Sequence, residues 1–133
     1  MYIIFSFVVI VIIYFIYNNQ KESYDPILDE IHSRLKIIHP KGNQIKLYKG
    51  NKSYTVNKKH IYLCLKDEND NYYNINMLMY VALHELAHVI DDVVDTNHRP
   101  EFFKILDNLI LKADELDLYD KNFKPFRDYC NHT

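Results

Sequence analysis

The chain opens on sixteen apolar, uncharged residues, 2–17 (YIIFSFVVIVIIYFIY), which as a helix would run about 24 Å against a hydrocarbon core of about 30 Å. The run predicts an N-terminal transmembrane helix, with residues 1–20 as a membrane anchor and 21–133 as the domain behind it. Tyr2, Tyr14, Tyr17, Asn18, Asn19 and Gln20 are acceptable residues at a membrane interface. A cleaved signal peptide fits less well, because neither a basic leader nor a small-residue cleavage site is present. No Lys or Arg precedes the run, whereas Lys21, Arg34 and Lys36 follow it. The expectation is therefore a single-pass anchor with the domain facing the cytoplasm.

Behind the run, the apolar period changes several times. Asp25-Pro26 reads as an N-cap with proline in the first turn, and Ile27, Leu28, Ile31, Leu35 and Ile38 keep helical spacing until His39-Pro40 stops them. Lys41-Gly42-Asn43 is a turn, 44–48 and 53–56 alternate as strands, and 60–66 (HIYLCLK) is the clearest strand, with Ile61, Leu63 and Leu65 on one face. A polar turn follows at 67–71. From about Asn74 to Asp92 the residues are apolar nearly all round, which predicts a helix at the centre of a domain. After a loop at 93–98, Pro100 starts another helix whose stripe is Phe102, Phe103, Leu106, Leu109, Ile110 and Ala113. The last fifteen residues are aromatic and polar without a clear period.

Net charge is −2, yet it is segregated. Residues 31–66 hold nine Lys or Arg and no acid, while 67–133 sum to −8. The basic segment 34–66, with Lys41, Lys46, Lys49, Lys52, Lys58 and Lys59, is either a solvated hairpin or a surface for anionic lipid or nucleic acid. Two cysteines, Cys64 and Cys130, form no CxxC pair and no framework; a disulfide between them is possible but not implied, and both are expected to be reduced. No glycine-rich phosphate loop or nucleophile elbow occurs, which leaves nucleotide chemistry and serine hydrolysis without support.

The central helix carries His84-Glu85-Leu86-Ala87-His88. Residues four apart lie above one another on a helix, so both imidazoles can reach one ion. Glu85, rotated by one residue, can hydrogen-bond a water on that ion without ligating it, which is the arrangement for zinc hydrolysis. A catalytic zinc needs a third protein ligand. His98 is the leading candidate, with Glu101 and Asp95 as alternatives, while Asp91 and Asp92 suit capping or supporting roles. Tyr119 and Tyr129 are candidate oxyanion donors, and residues 60–66 a candidate strand for pairing with an extended substrate. His32, His39, His60 and His132 read as surface or strand histidines.

HELAH in an apolar helix, a histidine after a short loop, and Pro100-Glu101-Phe102-Phe103 opening the next helix resemble the WLM and SprT-like zinc metallopeptidases. The upstream IYLCLKDENDNYYNINMLMYVAL and the downstream LILKADELDLYD with Tyr129-Cys130 are similar to small members from large DNA viruses. The resemblance spans about 54–130 and is strongest at 75–106. It implies an α+β, minimal zincin-like domain, with a small mixed or antiparallel sheet packed on the HExxH helix. It also implies Zn2+ on His84, His88 and His98, Glu85 as general base, and a protein or peptide substrate. Members of the wider group cleave proteins crosslinked to DNA, and the hydrophobic N-terminus departs from the cellular repair members. The rival reading is a non-catalytic, zinc-stabilised, membrane-anchored binding module that uses the basic segment. Its metal would be closed by a fourth protein ligand such as Glu101 or Cys130.

Overall fold

Two of the helices begin where an apolar pattern meets a capping side chain. The computed structural model describes residues 1–91 and 98–130, with the side chains of 19–23 excepted. The elements run α1 (Tyr2–Ser23), α2 (Pro26–Ile38), a 3-10 turn (Pro40–Asn43), β1 (Lys46–Lys49), β2 (Tyr54–Val56), β3 (His60–Leu63), α3 (Ile75–Ile90) and α4 (Pro100–Glu115). This is a small α+β arrangement with a three-stranded sheet.

The Asp25 carboxylate caps α2 by accepting the Ile27 N–H at 3.1 Å, and it also accepts the Tyr72 hydroxyl at 2.7 Å. Leu28, Ile31, Leu35 and Ile38 then bury one face. His39 ends this helix and begins the next turn, its Nδ1 accepting the Lys41 N–H at 3.0 Å. That turn folds back tightly. A Cβ on Gly42 would stand 2.5 Å from the Leu35 carbonyl oxygen, so only glycine lets the two backbones meet. His32 is bonded here too, its Nε2 lying 2.9 Å from the Gly42 oxygen.

The strand order is β1-β3-β2, with β1 parallel and β2 antiparallel to β3. Ile45, Ile61, Leu63 and Leu65 are buried on the inner side. On the outer side Tyr48, Tyr62 and Tyr54 stack in a ladder with centroids 5.0 and 4.7 Å apart, and the Tyr48 hydroxyl meets His60 Nδ1 at 3.1 Å. Residues 57–59 turn the chain from β2 to β3, with Asn57 and Lys58 at φ of 54° and 55° and the Lys59 N–H closing the turn on the Val56 carbonyl at 3.2 Å. Strand β3 therefore lies in the middle of the sheet, so the expectation that it pairs with a substrate is corrected. Both its edges are occupied, and the edges of the sheet belong to β1 and β2.

Helix α3 packs against α2, α4, β2, β3 and the 3-10 turn. Asn74 caps it by accepting the Asn76 N–H at 2.8 Å, and its buried residues come from every side, from Met77 and Leu78 to Ala87 and Val89. Helix α4 starts on Pro100 and buries Phe102, Leu106, Leu109 and Ala113, whereas Phe103 is exposed.

Two expectations are overturned. Among the described residues no helix is long and apolar enough to cross a membrane, so the N-terminal transmembrane helix is not supported. The single-pass, cytoplasm-facing localisation built on it falls as well. The shortfall is one of apolar length, since the helix continues to Ser23 but its apolar run ends at Tyr17, and about 24 Å of apolar helix does not match a core of about 30 Å. Cys64 and Cys130, read as reduced, are joined in a disulfide with Cα atoms 6.3 Å apart. The C-terminal segment returns to the end of β3, a meeting across 66 residues of sequence that no local spacing signals.

Two stability predictions follow from the α2 junction. Gly42→Ala should lower unfolding free energy by about 1–3 kcal/mol, the usual range for overpacking, as read from urea denaturation. The His39 pKa is lowered, chiefly by burial and further by Lys112 and Lys41. The unfolded chain therefore binds the proton more readily, and the stabilisation from the neutral ring should be full above about pH 6.5 and decline as pH falls below it. Comparing the native chain with His39→Asn across pH 5–8 isolates this component; parallel curves would refute it.

Candidate metal centre

Three imidazoles converge where α3 meets the start of α4. His84, His88 and His98 each place a ring nitrogen within 4.8 Å of the others. The first two come from one face of α3, as four-residue spacing on a helix dictates. The third sits just before α4, and its place is set by its neighbour. Nη2 of Arg99 grips both oxygens of the buried Asp91 carboxylate, at 2.7 and 2.9 Å. Asp91 is the C-cap of α3, so this pair ties the residue next to His98 to the end of the helix that carries His84 and His88. Lys58, at the tip of the β2–β3 turn, donates its ammonium to the Asp91 carbonyl, bringing a cation to the negative end of the helix.

Phe102 forms the floor of the cluster. It is fully buried, its ring lies 4.4 Å from His88 in a stacked arrangement, and it stands 5.0 Å from His84 and 4.9 Å from His98. Burial holds the His84 pKa down to about 4, with His88 and His98 adding to the effect. Burial, followed by His98, likewise lowers His88, while Asp91 opposes it. Both α3 rings are thus neutral near pH 7, the form that binds a metal. Three imidazole donors suit zinc and would leave one tetrahedral position for water or substrate.

Glu85 is buried beside this cluster, and its Oε2 accepts the Thr55 hydroxyl of β2 at 2.6 Å. Burial raises its pKa, and the Thr55 bond works against that rise. Next to His84 and Glu85 lies a cleft of about 460 Å³, lined in part by Met77, Tyr80, Val81 and Phe126.

The alternatives for the third ligand fare differently. Glu101 is exposed and faces Arg99 Nη1 at 3.4 Å, outside the cluster. Asp95, and Asp92 among the supporting candidates, lie outside the described residues. His32, His39 and His60 are engaged in the local bonds described above, and His132 falls outside the described residues. Tyr129 gives its hydroxyl proton to the Cys64 carbonyl, and burial pushes its pKa up to about 12, so it is not the free donor that an oxyanion needs. Tyr119 is buried, also pushed up to about 12, and packs against Phe123 away from the cleft lining. Thr55, Tyr80 and Phe102 were missed as site residues. Tyr80 was within reach, since it stands one turn before His84, whereas the contacts of Thr55 and Phe102 depend on tertiary packing.

A metal-suited histidine cluster, two of its members on a buried helix against a small mixed sheet, defines the class of domain. The WLM domain family matches residues 53–128. The chain belongs to this zinc-metallopeptidase-like family. It is 46% identical over 91 residues to uncharacterized protein 136R of Invertebrate iridescent virus 6, covering 65% of this chain and 49% of that protein. Uncharacterized protein 042R of Invertebrate iridescent virus 3 is 42% identical over 91 residues (67% and 55%). Uncharacterized protein R325 of Acanthamoeba polyphaga mimivirus is 34% identical over 108 residues (76% and 50%). The chain spans about half the length of the curated relatives it matches. No solved structure matches it significantly.

The geometry separates the candidate ligands by experiment. His98→Ala should abolish binding of one zinc per chain, measured by metal analysis after dialysis, whereas Glu101→Ala should retain it. Zinc retained in the first variant and lost in the second would reverse the assignment.

Proposed function

We propose that this chain is a zinc-dependent metallopeptidase, with His84, His88 and His98 holding Zn2+ and Glu85 acting as general base. The observation that carries the reading is the convergence of three imidazoles, two of them held neutral by burial, with a buried carboxylate on the same helix. When bound, zinc would supply Lewis acidity, making a water acidic near neutral pH and polarising the scissile carbonyl. Glu85 takes the proton of the attacking water and delivers it to the leaving amine. Its burial favours proton uptake, because the neutral carboxyl suffers less from desolvation than the carboxylate. Thr55 holds the carboxylate through its 2.6 Å hydrogen bond. Since Thr55 belongs to edge strand β2, a peptide pairing along that edge would pass beside Glu85, with backbone bonds supplying affinity.

The non-catalytic zinc module needs a fourth protein ligand. Cys130 is committed to Cys64 and Glu101 faces Arg99, which favours the hydrolytic reading. Glu85→Gln should keep stoichiometric zinc while lowering cleavage of a denatured protein substrate by at least about 100-fold, the scale of general-base catalysis. Turnover retained in that variant would refute the mechanism.

A further inference from the structure

We propose that the disulfide-tethered segment Pro125–Cys130 is the specificity wall of the cleft, closing a pocket that takes a large apolar side chain of an extended peptide. For cleavage this rests on the peptidase reading; for binding it stands on the pocket itself. One wall is the face of α3 that leads to the metal site, with Met77, Tyr80 and Val81 ahead of His84 and Glu85. The opposite wall is the C-terminal segment, with Phe126 in the lining. The volume of about 460 Å³ lies within the range of roughly 300–1,000 Å³ usual for ligand pockets. The apolar groups select a large aliphatic or aromatic side chain, while Lys52 and Arg127, exposed members of the lining, favour an acidic neighbour in the peptide.

This wall has no helix or strand of its own. It is held by the Phe126 N–H on Met77 Sδ at 3.3 Å, the Cys130 N–H on the Tyr73 hydroxyl at 2.9 Å, and Tyr129. The Tyr129 hydroxyl donates to the Cys64 carbonyl and lies 2.8 Å from Ser53 Oγ, which in turn accepts the Cys64 N–H at 2.9 Å. All of these bonds except that of Phe126 gather at the Cys64–Cys130 link. A coil with so few backbone bonds opens locally with ease, so the covalent link is what keeps Phe126 over the pocket. Breaking it releases the wall and leaves the three histidines, none of which belongs to this segment, in place.

The test uses zinc-loaded Glu85→Gln protein and two fluorescein-labelled peptides that differ in one central residue, Phe or Ala, each with a neighbouring Asp. Binding is read by anisotropy before and after reduction with a trialkylphosphine. The phosphine is oxidised to its oxide with oxygen from water, and the disulfide becomes two thiols. The oxidised protein should favour the Phe peptide by about tenfold or more, as hydrophobic pockets discriminate. After reduction the preference should fall to within about twofold, with zinc content unchanged and hydrogen exchange at 125–130 increased. Phe126→Ala should lose the preference with the disulfide intact, which covers the case where the reduced chain unfolds. No preference in the oxidised protein, or a preference that survives both treatments, overturns the proposal. If the preference behaves as expected but native protein cleaves neither peptide nor a denatured protein, the peptidase reading fails and the pocket stands. Cleavage without side-chain preference has the opposite meaning.

Discussion

Burial of α3 is the constraint on which the other elements depend. The helix is apolar on nearly every side, so water is a poor solvent for all of it and protein must cover it. The sheet, α2 and α4 supply that cover. Where they part, the helix presents the groups that are costly to desolvate: His84, Glu85 and His88. A carboxylate and two imidazoles at such a place are tolerable only with partners. Thr55 serves the carboxylate, and the imidazoles pack on one another, on His98 and on Phe102. The polar site is thus the gap left by the packing of an apolar helix.

What the sequence disclosed follows the range of the interactions involved. Helices α2, α3 and α4 were legible because start signals and apolar period act within a few residues, as Asp25 and Pro100 illustrate. His84 and His88 were legible for the same reason, being one helical turn apart. His98 needed the step from residue type to metal chemistry, and the structure places it with the other two. Strand positions were readable from alternation, but the central place of β3 was not, since the parallel partner of a strand is chosen by a distant segment. The disulfide is likewise a long-range meeting. Thr55 carries no sign in its own neighbourhood that it will touch Glu85, thirty residues away. Phe102 reads simply as one apolar position in a helix stripe. The N-terminal run misled for a different reason: it has the apolarity of a membrane span but fewer than the roughly 20 apolar residues a span needs.

The outer face of the sheet shows how a thin domain protects a sheet with one helical layer. Tyr48, Tyr62 and Tyr54 cover one another and the β3 backbone, leaving the lysines of the basic segment at the periphery, where Lys46, Lys49, Lys52 and Lys59 are exposed. Aromatic rings with polar tips suit this position, since the ring shields the strand while the hydroxyl stays wet.

The Asp91–Arg99 pair has a consequence for the spacing of the three histidines. By joining the end of α3 to the residue beside His98, it makes the placement of the third imidazole independent of how many residues connect the two partners. Chain length between them becomes a free variable, because closing a longer loop adds only a slowly growing entropic term. What such a site then requires is an acid at the helix end and a base next to the last histidine. A search written for a fixed number of residues between the second and third histidines would miss relatives that keep the clamp and change the loop.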